Sequence, residues 1–256
     1  QFSQNVSQVF LGINMKCASC HDSFIDDWKL VDAYGLAAIV SDEPLEIHRC
    51  DVPQGKFAEA KFPYPELGSI DPAASKAERL KACAELLTSP NDGRFARTVV
   101  NRLWQRLMGR GLGHPVDVMN NRPWDEDTLD FLASYLVDEH YNLKKVLALI
   151  ATSRAYQACS TALAEDAQPE DYIFKGPLVK RMTAEEYLDA VWQIRGAAPA
   201  ESAKGAPKYA GTIRASLAKS NQLMRDLGRP IREQVVSTRP DKLTTLEALS
   251  LSNGAV

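Results

Sequence analysis

Residues 93–112 read GRFARTVVNRLWQRLMGRGL, and this stretch decides the fold class. Its large apolar residues recur three and four positions apart, the spacing of one face of an α-helix. These residues are Phe95, Val99, Leu103, Trp104 and Leu107. Gly109 and Gly111 follow, and glycine is the usual residue just past a helix end. The stretch therefore predicts one long amphipathic helix.

The same periodicity extends outward in both directions. Capping boxes, in which Ser or Thr precedes Glu by three residues, predict helix starts at Ser75, Thr183 and Thr244. Apolar faces predict two further helices over 129–137 and 143–150. Residues 196–211, rich in Ala, Pro, Gly and Lys, predict an exposed loop. Because no convincing alternating run of β-branched residues is present, we predict an all-α fold class.

Composition excludes several classes of partner. The chain has 256 residues and a formal net charge of −3, with basic residues spread among acidic ones, so no polybasic surface for nucleic acid is predicted. The longest apolar run, around residues 146–151, is far shorter than the roughly 18 residues needed to span a bilayer, so no transmembrane segment is expected. A start at Gln1 without a leader is typical of a processed chain or of a piece of a longer one.

One short motif carries chemistry. Cys17-Ala18-Ser19-Cys20-His21 fits the pattern for covalent attachment of haem c. Two thiols three residues apart can add to the two vinyl groups of one porphyrin, and the adjacent imidazole of His21 can then ligate the iron. We therefore predict one covalent haem c, with His21 as the proximal iron ligand.

Other readings of the same cysteines stay open. Cys17 and Cys20 with His48 and Cys50 could form a tetrahedral zinc set, although His21 would then have no role. A thioredoxin-like redox pair is disfavoured because no strand is predicted before the motif. The remaining cysteines are expected to be mostly buried, with a Cys50–Cys83 disulfide as one option.

The second iron ligand decides between electron transfer and chemistry at an open iron position. Met182, which precedes a capped helix, is our tentative distal ligand. The other candidates are His48, Met108, His114, Met119 and Met224.

The sequence around and after the motif resembles two domains of large exported proteins from Planctomycetes and Verrucomicrobia. The first likeness, to their cytochrome c-like domain, rests on residues 9–14, the motif, Asp22, Trp28 and residues 34–38. The second, to the Planctomycete-specific domain that follows it, rests on the runs 101–104, 108–112, 115–117, 153–156 and 246–249. The resemblance implies haem and export but no substrate. Many relatives have a second His soon after the motif, where this chain has Asp22-Ser23-Phe24.

These observations predict three segments: a haem-binding cytochrome c-like segment over 1–42, an irregular Pro-rich connection over 43–74 and a larger helical domain over 75–256. The expected function is that of a monohaem c-type cytochrome in extracytoplasmic electron transfer, with a redox partner protein and a periplasmic or otherwise exported location. A haem enzyme with an open, peroxidase-like distal site is one alternative, and a carbohydrate-associated module with ancillary haem is another. Electron transfer is favoured over oxidoreductase activity, and the oligomeric state is left open.

Overall fold

The computed structural model describes residues 1–162, 172–196, 213–231, 235–236, 239 and 244–253. Contacts divide the chain into two compact units, Gln1–Val179 and Lys180–Val256. The first unit contains the first two segments predicted from the sequence and part of the third. The three-segment division stays a prediction, and the predicted loop 196–211 lies, from residue 197 onward, outside the described residues.

The first unit is mostly helical. Helix α1 (Phe2–Val6) continues into a π-helical turn (Ser7–Leu11). The later helices are α2 (Leu30–Ala38), α3 (Lys76–Leu87), α4 (Gly93–Met108), α5 (Glu126–Asp138), α6 (Leu143–Ala151) and α7 (Arg154–Gln157). A 3₁₀ turn spans Pro65–Leu67.

Local sequence signals account for the helices α3 to α6. At α3 the Ser75 hydroxyl accepts from the Glu78 amide, and the Glu78 carboxylate accepts from the Ser75 amide, so the predicted capping box is confirmed. Helix α4 ends at Met108, and Gly109 takes the left-handed conformation at φ 86°, which confirms the predicted stop. The helices predicted over 129–137 and 143–150 are also confirmed, as α5 and α6.

The all-α prediction is wrong, because the segment predicted to be an irregular connection contains an antiparallel hairpin. Strand β1 (Leu45–Arg49) pairs with β2 (Val52–Ala58) across the two-residue connection Cys50-Asp51. Strand β2 is exposed along almost its whole length, so it lacks the apolar alternation that would have revealed it. Its Pro53 and Gly55 resemble turn signals, yet proline is tolerated in an edge strand. The elements around the motif likewise establish no haem-binding fold.

Two apolar clusters form the core of the first unit. One gathers the π-helical turn, α2, α3 and the segment 60–70 around Leu11, Met15, Leu36, Ile39 and Phe62. The other packs α4, α5 and α6 around Val100, Trp104, Leu132, Leu136 and Val146. The sequence motif at 17–21 belongs to the first cluster through the fully buried Ala18, and Met15, just before the motif, is fully buried in the same cluster.

The second unit has its own small core. It consists of α8 (Ala184–Arg195), a 3₁₀ turn (Ala215–Leu217), α9 (Gln222–Asp226) and α10 (Thr245–Asn253). Leu188, Ala215 and Met224 are buried together. The capping boxes predicted at Thr183 and Thr244 are both formed. Across both units, no helix among the described residues is long and apolar enough to cross a bilayer.

Candidate functional site

The motif Cys17–His21 folds as one helical turn. The Ser19 amide donates to the Met15 carbonyl at 2.9 Å, and the amides of Cys20 and His21 both donate to the Cys17 carbonyl, at 3.0 and 3.1 Å. Ala18 points into the core and is fully buried. Cys17 is half-buried, Cys20 is exposed, and both thiols are free. The turn is thus anchored on one side while the two sulfurs stay accessible on the other.

The imidazole of His21 is oriented by the backbone. Its Nδ1 lies 2.7 Å from the Asp22 carbonyl oxygen. Because a carbonyl oxygen only accepts, Nδ1 carries the proton and the lone pair of Nε2 remains for a ligand such as a metal. The ring also lies against Phe24, with centroids 4.6 Å apart and planes inclined by 33°. His21 is therefore half-buried and held in one tautomer.

The loop that follows the motif is tied down at both ends. The Asp22 carboxylate accepts from the Leu30 amide at 2.9 Å, at the first turn of α2, and the Ser23 amide donates to the Trp28 carbonyl at 2.8 Å. Between these contacts Phe24 and Ile25 are 86% and 78% exposed. Phe24 and Ile25 therefore expose apolar surface, and Phe24 does so in contact with the His21 imidazole.

The segment before the motif is held by the loop that follows α4. The Met119 amide donates to the Gly12 carbonyl at 3.0 Å, and Ile13 forms an isolated antiparallel bridge with Val118. Gly12 has φ 61°, and a Cβ there would lie 2.3 Å from the Met119 Cγ. Glycine is required at this position for two reasons: the backbone is left-handed, and Met119 leaves no room for a Cβ.

Polar contacts from α4 fix the same segment. Asp117 accepts from Gln8 Nε2 at 2.8 Å and from Arg102 Nη2 at 2.7 Å, and Arg102 also donates to the Gln8 carbonyl. The Arg94 guanidinium donates to the Leu11 carbonyl at 2.8 Å. These side chains are largely shielded from solvent, so the position of the motif relative to α4 is set by charged hydrogen bonds as well as by packing.

A half-buried tyrosine and a buried aspartate lie beside these contacts. Burial raises the pKa of Tyr64 to about 12, and its ring meets Trp28 edge to face at 6.0 Å. Asp92 is 3% exposed and caps α4 by accepting from the amides of Arg94 and Phe95. Burial raises the pKa of Asp92, although these two backbone hydrogen bonds and the Arg94 charge act in the opposite direction. Its Oδ2 has no hydrogen-bond partner.

The structure places Cys50, which the sequence grouped with Cys17 and Cys20 only in the zinc alternative, against the motif turn. The Cys50 amide donates to the Cys20 carbonyl at 2.7 Å. All five cysteines are free, so the Cys50–Cys83 disulfide considered from the sequence is not formed. The sequence brought Cys20 and Cys50 together only as possible zinc ligands, because the hairpin that makes this backbone contact was not predicted.

The zinc alternative is not supported by the geometry. Within the residues that the structure describes, no three His, Cys, Asp or Glu side chains are arranged to hold a metal ion. Cys17, Cys20, His48 and Cys50 therefore do not form the tetrahedral set considered from the sequence. The remaining donor set of two accessible thiols one turn apart and one imidazole with an available Nε2 fits covalent haem c.

The candidate second ligands have different surroundings. Met182, in the second unit, is 55% exposed. Met108 and Met224 are buried in their cores, and the Met119 sulfur accepts from Asn101 at 3.2 Å. His114 is half-buried, and its pKa is lowered by burial and by the Arg110 charge. Met182 stays a prediction.

Comparison with known families finds two matches. The PSD1 model, described as a protein of unknown function (DUF1553), matches residues 79–256. The PSCyt2 model, also described as a protein of unknown function (DUF1549), matches residues 1–44. Both are domain families associated with Planctomycetes, which confirms that part of the resemblance seen in the sequence. No curated protein and no solved structure matches the chain.

Proposed function

The chain belongs to the PSD1 family, and we propose that it is a monohaem c-type electron-transfer protein that works outside the cytoplasm, as part of a larger redox assembly. Because the family is described as of unknown function, the proposal rests on the chain's own residues. Cys17 and Cys20 would hold the haem through thioether bonds, and His21 Nε2 would ligate its iron as the proximal ligand. A redox partner protein and an exported or periplasmic location belong to the same proposal.

The observation that carries the proposal is the geometry of the motif turn. The two thiols are accessible and one helical turn apart, and the His21 Nδ1 is engaged by the Asp22 carbonyl. A hydrogen bond from Nδ1 to a carbonyl fixes the tautomer and raises the basicity of the other ring nitrogen. The turn therefore presents two nucleophilic sulfurs and one oriented iron ligand together.

The chain's residues have separable roles in this proposal. When bound, haem c supplies a one-electron redox couple at its iron. Phe24 and Ile25 offer exposed apolar surface beside His21 for contact with a porphyrin. Cys20 lies at the surface, so the point of attachment is accessible to a redox partner.

Met182 is proposed as the second axial ligand, which would give a six-coordinate low-spin iron. The Met182 side chain is exposed, so its sulfur is available to ligate an iron. We expect Met182→Leu to convert a low-spin spectrum into a high-spin one. Met119→Leu is the matched control, because the Met119 sulfur is already engaged by Asn101. An unchanged low-spin spectrum in Met182→Leu would exclude Met182.

Covalent haem is tested on the full chain, produced together with a c-type haem maturation system. A pyridine haemochrome spectrum of the denatured chain measures covalently retained haem. We expect one haem per chain in the wild type and none in Cys17→Ala combined with Cys20→Ala. Cys159→Ala, which removes an exposed cysteine elsewhere in the same unit, should retain all of it.

His21 is tested by the native spectrum. His21→Ala should keep covalent haem and lose the low-spin spectrum, whereas His140→Ala should change neither. A wild-type chain whose mass equals that of the bare polypeptide contradicts the proposal. A wild-type iron that is high-spin, and whose spectrum shifts with cyanide or peroxide, contradicts electron transfer and favours the enzyme alternative.

A further inference from the structure

Cys50 is the residue of the hairpin that meets the motif turn. Its amide donates to the Cys20 carbonyl at 2.7 Å. With standard bond lengths, such a contact brings the two α-carbons to within about 6.6 Å of each other. Disulfides in proteins join cysteines whose α-carbons are about 4.4 to 6.8 Å apart. The α-carbon separation of the pair is therefore within the range found for disulfides, and both cysteines are free, exposed and accessible to an oxidant.

The hairpin fixes Cys50 in this place. Cys50 is the first residue of the two-residue connection between β1 and β2, and Arg49 pairs with Val52 directly beside it. Its φ of 45° lies in the left-handed region, where hairpin connections normally have Asn or Gly. Contacts between β1 and α2 hold the hairpin on the same cluster that buries Ala18 of the motif. The backbone of Cys50 is therefore held beside Cys20 by ordered structure.

The other cysteines outside the motif are poorer partners. Cys83 is 3% exposed, and burial raises the pKa of its thiol to about 11, so it is shielded and almost entirely protonated. Cys159 is exposed, but it lies beyond α7 and makes no backbone contact with the motif among the hydrogen bonds of the described residues. Only Cys17, within the motif itself, competes with Cys50 for Cys20.

We propose that Cys20 and Cys50 form a reversible disulfide in the chain that has not received its cofactor. With glutathione disulfide as oxidant, the Cys20 thiolate attacks one sulfur, forms a mixed disulfide and releases one glutathione thiolate. The Cys50 thiolate then attacks the Cys20 sulfur and releases the second. Two protein thiols are oxidised, one glutathione disulfide is reduced to two thiols, and the two protein protons pass to the released glutathione.

The disulfide has a consequence for the covalent attachment of haem, which we call loading, and this consequence rests on the proposed function. A Cys20 sulfur that is bonded to Cys50 cannot add to a vinyl group of a porphyrin. Reduction of the Cys20–Cys50 disulfide therefore becomes a condition for covalent attachment. Cys50 would act as a reversible protecting group for one of the two attachment thiols in an oxidising compartment.

The disulfide is tested by peptide mapping of the full chain made without haem. After equilibration with glutathione disulfide and alkylation of free thiols, trypsin releases Cys17 and Cys20 on residues 17–29 and Cys50 on residues 50–56. We expect a linked pair whose mass is the sum of the two peptides less two hydrogens. The linked pair should persist in Cys17→Ala and disappear in Cys20→Ala and after reduction. Cys159→Ser is the control and should leave it unchanged.

Two outcomes overturn the pairing. One is peptide 17–29 alone lighter by two hydrogens, which places the disulfide between Cys17 and Cys20. The other is complete alkylation of all three cysteines at glutathione ratios that oxidise exposed dithiols. Both outcomes are read on wild-type chain, so neither depends on the folding of a variant.

Loading is tested separately and distinguishes this inference from the proposed function. In glutathione disulfide the wild type should load covalent haem at least about tenfold less than in reduced glutathione. Cys50→Ser should load equally in both. An equal loss in wild type and Cys50→Ser overturns the protecting role. Failure to load under reducing conditions contradicts the proposed function and leaves the disulfide result standing.

Discussion

Replacement of Gly12 by Ala tests whether the loop after α4 holds the segment that leads into the motif. Gly12 has φ 61°, where an L-residue costs about 1–2 kcal/mol. Alanine returns about 0.4–1 kcal/mol by restricting the unfolded chain. Its Cβ would lie 2.3 Å from the Met119 Cγ, and relief of such an overlap costs about 1–3 kcal/mol. We therefore expect Gly12→Ala to lower the free energy of unfolding by about 3 kcal/mol.

Gly55→Ala is the matched control. Gly55 has nearly the same φ, 63°, but nothing lies within 4 Å of its added Cβ. In this variant only the left-handed backbone conformation is unfavourable, so we expect the free energy of unfolding to fall by about 1 kcal/mol or less. At about 3 °C per kcal/mol, the Tm should fall by about 9 °C for Gly12→Ala and by about 3 °C for Gly55→Ala. Thermal unfolding followed by circular dichroism measures both.

The Met119→Ala background isolates the overlap. Removal of the Met119 side chain beyond its Cβ takes away the atom closest to the added methyl group. The cost of Gly12→Ala should then fall by about 1–2 kcal/mol, which is the coupling between the two sites. It should stay above that of Gly55→Ala, because the Met119 Cβ and the Thr98 Oγ1 still lie 3.0 and 3.2 Å from the added methyl group. Equal losses for Gly12→Ala and Gly55→Ala, or a Gly12→Ala cost that is the same in both backgrounds, would refute the reasoning.

Two further stability predictions concern the acidic residues around α4. Asp117→Asn weakens charged hydrogen bonds to Arg102 and Gln8, so we expect the free energy of unfolding in urea to fall by about 2 kcal/mol. The control is Asp42→Asn at an exposed ion pair, which should lower the same free energy by less than about 0.5 kcal/mol. Equal losses would mean that the Asp117 contacts do not stabilise the unit. Asp92→Asn keeps an oxygen for the cap and removes a carboxyl whose pKa burial raises in the folded chain. Folding favours the protonated carboxyl, so the wild type loses stability as the pH rises from about 4, the ordinary Asp value, through the raised folded pKa. Asp92→Asn should therefore be the more stable protein at pH 7 and lose this advantage toward pH 3, and parallel Tm profiles across that range would contradict the assignment.

The sequence determined the features that depend on neighbours a few residues apart. The capping box at Ser75, the left-handed stop at Gly109 and the apolar face of α4 are each encoded within one or two helical turns. The same is true of the motif at 17–21, whose thiols and imidazole lie within a single turn. Hydrogen bonds and side-chain periodicity at this range follow from backbone geometry, so residue order suffices to predict them.

The tertiary structure decided what distant segments do to one another. Strand β2 is stabilised by pairing with β1 while its side chains remain exposed, so no apolar pattern marked it. Two contacts join residues far apart in the chain: Cys50 with Cys20, and Gly12 with Met119. Such contacts depend on how the core packs, and many residue patterns are compatible with the same packing. For that reason the helices and the motif could be predicted from the order of residues, whereas the surroundings of the motif could be known only from the folded chain.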